Sequence, residues 1–250
     1  MNDHELAAHV ADRAGQLLLD VRAEALAEGV DESELKVRGD SQSNEMILAL
    51  LAKHRPDDAV LSEESKDDLV RLRADRVWIV DPVDGTREYS ESRADWAVHV
   101  ALVSAGRPIA AAVALPGASR VLSMEPAATI APAVDGPIRL VVSRTRPPKL
   151  AEYLAEELGA VLVPMGSAGA KTMSVLLGES DVYAHGGGQY EWDSCAPVGV
   201  ASAAGLHCSR LDGSPLVYNN ENPYLPDLLV CRPDLAERVL AAIAAAPADG

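Results

Sequence analysis

The sequence predicts an α/β protein made of two unlike parts, and three observations carry that reading. Residues 2–29 and 41–51 place apolar side chains at helical spacing, and from there to Met124 the chain is a run of short apolar stretches that end at turn residues. From Ile138 onward strands and helices alternate, the pattern of a sheet covered by helices. Between them Pro126 to Pro137 replaces periodicity with Pro, Ala, Asp and Gly. The division is therefore placed as an α+β part over 1–134 and an α/β part over 135–250, a length with ample material for a core.

Asn2 and Glu5 stand at capping-box spacing, and Leu6, Val10, Ala14, Leu17, Leu18 and Val21 mark the face of a helix that Gly29 ends. Asp31 to Gly39 reads as a charged link, with Asp40 and Ser41 capping a second helix that carries Met46, Ile47, Leu50 and Leu51 on one side. Ala59–Leu61 reads as a strand, Asp67–Arg73 as a short solvated helix, and Val77–Val80 as a buried strand stopped by Asp81 and Pro82. Arg87–Asp95 is expected to be a polar loop. Trp96, Val98, Val100 and Leu102 then alternate as a half-buried strand, with His99 on the other face beside Ala97 and Ala101 and given no role. Gly106–Pro108 turns the chain back into Ile109–Leu115, and Arg120–Met124 adds a further strand.

In the second part Ile138–Val142, Ala160–Val163 and Val182–Ala184 are expected strands, and Lys149–Leu158 and Ala168–Leu177 helices. A helix from Asp193 to Ala204 ends at Gly205, with Pro197 in its first turn, where a missing N–H costs nothing. Asp234 and Glu237, at capping-box spacing, open a last helix that runs to Ala246.

Composition narrows the function. A formal net charge of −16 argues against a nucleic-acid polymer as partner, and it repels any anionic ligand unless bound cations invert the local field. Cys195, Cys208 and Cys231 are odd in number and lack C-x-x-C spacing, which points to no disulfide framework or zinc ribbon and to a reducing, cytoplasmic setting. The N-terminus lacks a signal-peptide apolar core and no run approaches a membrane span, so no membrane partner is expected.

The chemistry is concentrated in V-W-I-V-D-P-V-D-G-T, residues 77–86. Asp81 and Asp84 flank a turn that leaves the Val83 carbonyl without a ladder partner, and such a hard-oxygen pocket suits Mg²⁺; otherwise the two Asp simply cap backbone groups at a strand exit. Glu63 and Glu64 leave a strand to opposite sides, so only one can join the pocket. Gly166-Ser167-Ala168-Gly169-Ala170-Lys171 enters a helix with small residues, which suits an anion at backbone N–H donors or merely close strand–helix packing.

Two blocks, E-E-S followed by W-I-V-D-P-V-D-G-T and then W-D-S-C-A-P, stand in order and resemble the signatures of the lithium-sensitive, magnesium-dependent phosphatase family that contains inositol monophosphatase. The resemblance spans nearly the whole chain and implies a layered αβαβα sandwich, a small phosphorylated substrate, two or three Mg²⁺ ions and a homodimer. It selects Glu63, Asp81, Val83 and Asp84 as metal ligands, with Asp193 brought in from the second part, and Asp40 with Thr86 to orient and deprotonate water.

G-S-A-G-A-K, E-W-D-S-C-A-P and the Ser143-Arg144 pair look closer to the 3'-phosphoadenosine 5'-phosphate phosphatases of the CysQ type than to inositol monophosphatases proper. That likeness implies release of the 3'-phosphate to leave AMP, in sulfur assimilation, with 3'-phosphoadenylyl sulfate as a further substrate. The implied substrate contacts are Gly85, Thr86, Ser143, Arg144, Gly166, Ser167, Lys171 and Glu191, while Gln189 and Tyr190 sit in a loop that varies among relatives. Inositol 1-phosphate or fructose 1,6-bisphosphate are the alternative substrates. A haloacid-dehalogenase-type phosphatase needs its two Asp two residues apart, not three, and a catalytically silent metal-binding module is the reading from another class.

Overall fold

The computed structural model describes residues 1–145 and 147–247. Helix α1 (Asp3–Glu28) opens on the expected capping box, with Glu5 N donating to Asn2 and Asn2 N to the Glu5 carboxylate, and closes on Gly29 at φ 73°. Helix α2 (Glu32–His54) starts earlier than expected, with Asp31 as its N-cap, so the supposed link is helical and Asp40 lies in mid-helix. Its buried face, Leu35, Gly39, Ser43, Ile47 and Leu51, holds helical spacing with small residues that do not read as apolar. Gly39 is needed there, because a Cβ would lie 2.7 Å from the Tyr89 ring.

The first sheet comprises β1 (Ala59–Ser62), β2 (Val77–Asp84), β3 (Ala97–Ser104), β4 (Arg107–Leu115) and β5 (Arg120–Ser123), in that spatial order. β1 and β2 are parallel and the other neighbours antiparallel. Helix α3 (Thr86–Ser90) occupies the start of the expected 87–95 loop. Only Val70–Arg73 of the segment 67–73 turns, as a 3₁₀ turn, and it is not a solvated one: Arg71 is 2% exposed and bonded to Asp67 and Asn219.

The second part follows as β6 (Arg139–Ser143), α4 (Lys149–Leu158), β7 (Val161–Met165), α5 (Ala168–Leu176), β8 (Val182–His185), β9 (Gln189–Tyr190) and α6 (Glu191–Ala203). It ends with β10 (His207–Ser209), β11 (Tyr224–Leu225), β12 (Leu228–Cys231) and α7 (Ala236–Ala245). Its five-stranded sheet has the order β10-β12-β8-β6-β7, and β9 and β11 form a separate antiparallel ribbon. Helix α6 begins two residues before Asp193, which puts Pro197 in the second turn, where the Asp193 carbonyl lacks its usual N–H partner. Pro233–Leu235 is a 3₁₀ turn ahead of α7, and the expected Asp234 cap does not form.

Three apolar clusters define the layers. One packs α1 and α2 on Trp78, Val80, Val98 and Val100 of the first sheet; one joins Ile79, Ala101 and Val113 through α5 and α6 to Val141, Tyr183 and Val230 of the second; one packs α4 and α7 on Leu140, Ala184 and Leu229. The architecture is thus an αβαβα sandwich. β3 is consequently buried on both faces instead of half-buried, since its Ala97–His99–Ala101 side meets the middle helical layer. Residues 124–138 connect the two sheets without a helix or extended strand.

Candidate active site

β2 does not stop at Val80 as its sequence suggests; it bulges. Its register with β3 jumps from Asp81↔His99 to Asp84↔Ala97, which gives Pro82 a place that needs no N–H and turns both Asp side chains out of the ladder. The bulge is held locally. Ser43 Oγ donates to the Pro82 carbonyl at 2.9 Å, Val83 N to Asp81 at 3.0 Å, and the Thr86 hydroxyl to the Val83 carbonyl at 3.1 Å.

Carboxylate oxygens of Asp81, Asp84 and Asp193 lie within 4.8 Å of one another, Asp193 coming from the first turn of α6. Three anions this close, two of them buried, repel unless protonated or joined by a cation. Burial first, then the charges of Glu63 and Asp84, pushes Asp81 well above the carboxylate range. Burial and the charge of Asp84 bring Asp193 up to about 6. Glu63 is exposed as a residue, yet it turns its carboxyl inward to Asp81, and desolvation followed by the charge of Asp193 raises it to about 7. The charge of Glu64 acts on both Asp40 and Glu63.

Asp84 is the exception. It accepts from Ala168 N at 3.0 Å, from Gly169 N at 2.6 Å and from the Ser167 hydroxyl, so the small-residue entry into α5 receives an anion from inside the chain. His99 completes the set, with Nε2 3.2 Å from Asp84 Oδ2 and Nδ1 2.9 Å from the Trp192 carbonyl. Nε2 lacks hydrogen-bond alignment on Asp84, so the contact is a charge pair. Burial alone would raise Asp84, but His99 and these donors outweigh it and hold Asp84 at about 2. Burial alone would lower His99, and Asp84 reverses that. Gly169 makes the approach possible, since a Cβ there would stand 2.0 Å from His99 Nε2.

Sequence reading missed His99. The available signal was its company: the face it shares with Ala97 and Ala101 is apolar and small, the mark of a covered face.

The donors fit a hard divalent cation. They are carboxylate oxygens, mostly buried; His99 pairs with Asp84 and, with Lys171, partly offsets Asp193, while the charges that bear most on Asp81 and Glu63 are those of other carboxylates. Asp81, Asp84 and Asp193 are placed to share a cation, with Glu63 reaching Asp81 and the Val83 carbonyl beside them.

Beside this cluster Gly85, Thr86, Ser143, Arg144, Gly166, Ser167 and Lys171 line an open cleft of about 310 Å³, which gathers every expected substrate residue but one. The exception is Glu191. It is fully buried, and its oxygens accept from Asn219 N at 2.6 Å and from Asn220 N and Nδ2, each at 2.8 Å, so it holds a loop and not a ligand. Three cations line the cleft, Arg87, Arg144 and Lys171, and the last two are engaged within the protein. Arg144 bonds Glu88 at 3.0 Å and Glu91 at 2.6 Å, and buried Lys171 donates to the Ser167 carbonyl at 2.6 Å with its pKa lowered by burial. Asp40, at about 7 through desolvation and the charge of Glu64, stands apart from the three Asp.

The profile of the Inositol monophosphatase family matches residues 3–248. A 3'-phosphoadenosine 5'-phosphate phosphatase of Mycobacterium tuberculosis is 54% identical over 241 residues, covering 92% of this chain and 89% of that protein. The 3'(2'),5'-bisphosphate nucleotidase CysQ of Escherichia coli is 30% identical over 198 residues, covering 74% of this chain and 80% of its own. Among solved structures, CysQ from Bacteroides thetaiotaomicron superposes with a TM-score of 0.80 at 25% identity, covering 92% of this chain and 96% of that one.

Proposed function

The chain belongs to the inositol monophosphatase family, and from that premise we propose that it is a Mg²⁺-dependent phosphomonoesterase that takes the 3'-phosphate from 3'-phosphoadenosine 5'-phosphate, leaving AMP. The observation that carries the reaction class is the cluster of Asp81, Asp84 and Asp193 beside the cleft. The relatives carry the substrate, for those at 49% identity and above bear that phosphatase's name, which favours it over inositol 1-phosphate and fructose 1,6-bisphosphate. Family membership also sets aside the haloacid-dehalogenase reading and the silent module.

Mg²⁺, when bound, supplies Lewis-acid polarisation of phosphoryl oxygens and acidifies water. The chain's own residues do the placing. Asp81, Asp84 and Asp193, with Glu63, would hold the cation; the Thr86 hydroxyl, having donated its proton to the Val83 carbonyl, keeps lone pairs that orient an attacking water. Gly85, Ser143, Gly166 and Ser167 shape the cleft around the phosphate, with Arg87, Arg144 and Lys171 also in its lining. Asp40, raised to about 7 by burial and the charge of Glu64, is proposed to help Thr86 orient and deprotonate that water.

A phosphate-release assay on the three esters with Mg²⁺ tests the reading. The nucleotide is expected to show the highest kcat/KM, and EDTA to abolish turnover of all three. A clear win for inositol 1-phosphate would leave the reaction class standing and overturn the substrate.

A further inference from the structure

The chain has three Trp, six Tyr and no Phe. Trp78, Trp96, Tyr89, Tyr183 and Tyr218 are buried, whereas Tyr190 and Tyr224 are 45% and 47% exposed. These two stand directly opposite each other on the β9–β11 ribbon. Tyr190 stacks on Trp192 with centroids 4.8 Å apart and planes within 6°, and Tyr224 meets Tyr190 edge-on at 5.9 Å. Large flat rings left open to water in a chain that buries most of its others are informative.

The platform is built. Gly188, at φ 78°, admits Tyr224, whose hydroxyl would lie 2.7 Å from any Cβ there. The neighbouring loop is tied to α6 through Glu191 N on the Pro223 carbonyl at 2.8 Å and through the Glu191 carboxylate on Asn219 and Asn220. It also adjoins the reaction centre, since Tyr190 N donates to Asp193 Oδ2 at 2.6 Å. Tyr190 is thus the N-cap of the helix whose first turn carries Asp193.

We propose that Tyr190, Trp192 and Tyr224 form a stacking platform for the purine base of the nucleotide, an inference that rests on the substrate class proposed above. A base is neutral and planar, so it needs no cation and suffers no repulsion from a chain of net charge −16. A cyclitol phosphate or a sugar bisphosphate has no such face. The platform thus gives the site a means of choosing nucleotides that depends neither on Arg144 nor on Lys171, both of which are engaged within the protein.

The test uses Tyr190→Ala, Tyr224→Ala and Tyr190→Phe in the full chain with Mg²⁺. Base stacking predicts that each Ala variant raises KM for 3'-phosphoadenosine 5'-phosphate by about tenfold with kcat within about twofold, leaves inositol 1-phosphate turnover unchanged, and that Tyr190→Phe behaves as the parent. Calorimetry with AMP and ribose 5-phosphate separates this inference from the reaction: AMP should bind the parent about tenfold tighter, and Tyr190→Ala should erase the difference. That result stands even if the parent fails to hydrolyse the bisphosphate, which would sink the substrate proposal alone. Equal binding of AMP and ribose 5-phosphate by the parent overturns the platform. So does unchanged KM in the Ala variants accompanied by a smaller sedimentation coefficient, which would show that a second copy covers these rings.

Discussion

Asp81 and Asp84 lie three residues apart on one strand, both buried, and their protonation is driven in opposite directions. Asp84 receives His99, a hydroxyl and two N–H groups at the start of α5; Asp81 receives Val83 N and faces Glu63 and Asp193. Burial is common to both. The supply of donors and opposite charge decides which carboxylate stays ionised without a cation, and it divides the site into a half the protein satisfies by itself and a half that waits for metal.

The sharpest way to break that contrast is to remove each carboxylate in turn. Asp84→Ala strands His99 and the α5 donors, and is expected to cost about 3–5 kcal/mol of unfolding free energy without divalent cation, the usual result of deleting one member of a buried pair. Asp81→Asn relieves repulsion, so it is expected to raise the melting temperature of the metal-free protein while abolishing hydrolysis. Urea unfolding in EDTA, with phosphate release in Mg²⁺, measures both; destabilisation by Asp81→Asn would show that the halves are alike after all.

A smaller effect is expected at His99. It aligns Asp84 and anchors the Trp192 carbonyl, one residue from Asp193, so His99→Ala should weaken Mg²⁺ binding by about 10–100-fold in calorimetry, and His99→Gln should recover part of it. Unchanged Mg²⁺ affinity alongside a lowered melting temperature would make His99 a packing residue only.

The mildest test is pH. A carboxyl raised on folding binds its proton more tightly folded than unfolded, so its contribution is present below the unfolded value and lost as pH rises through the folded one. Those windows run from 3.8 to about 6 for Asp193 and from 4.5 to about 7 for Glu63. Asp84 acts in reverse: its stabilisation is present above 3.8 and lost as pH falls toward about 2. Metal-free protein should therefore lose stability between pH 5 and pH 8, and saturating Mg²⁺ should flatten that slope, with denaturation midpoints at the two pH values as the readout.

The carboxylates themselves could be read from the sequence, because Asp81, Asp84 and Asp193 lie in short blocks that resemble the family's signatures. The αβαβα layering came with the same resemblance, while the order of elements showed only that the two parts differ. Other features depend on contacts between distant residues. The start of α2 was hidden because Gly39 and Ser43 lie on its buried face, and β12, four buried residues between Pro226 and Pro233, is too short to declare a period. Whether Glu191 or Arg144 meets a ligand turns on partners far away in the chain, Asn219 and Asn220 for Glu191 and Glu88 and Glu91 for Arg144. The pairing of His99 with Asp84 needs the bulge, the glycine at 169 and the middle helices together.

The separation along the chain of Asp84 from α5 and α6 also has a meaning in time. At a synthesis rate of about 5–20 residues per second, the bulged strand leaves the ribosome roughly 5–20 s before Asp193 does. During that interval the first sheet carries an aspartate without its donors, another without its cation, and one apolar face without α5 and α6 to cover it. Residues 1–134 made alone should accordingly fail to settle into a stable piece. The emergence of α6 brings Asp193 to the metal cluster, and the core between the sheets closes only when Tyr218, Leu225, Leu228 and Val230 follow, so a half-made chain has no site with which to act.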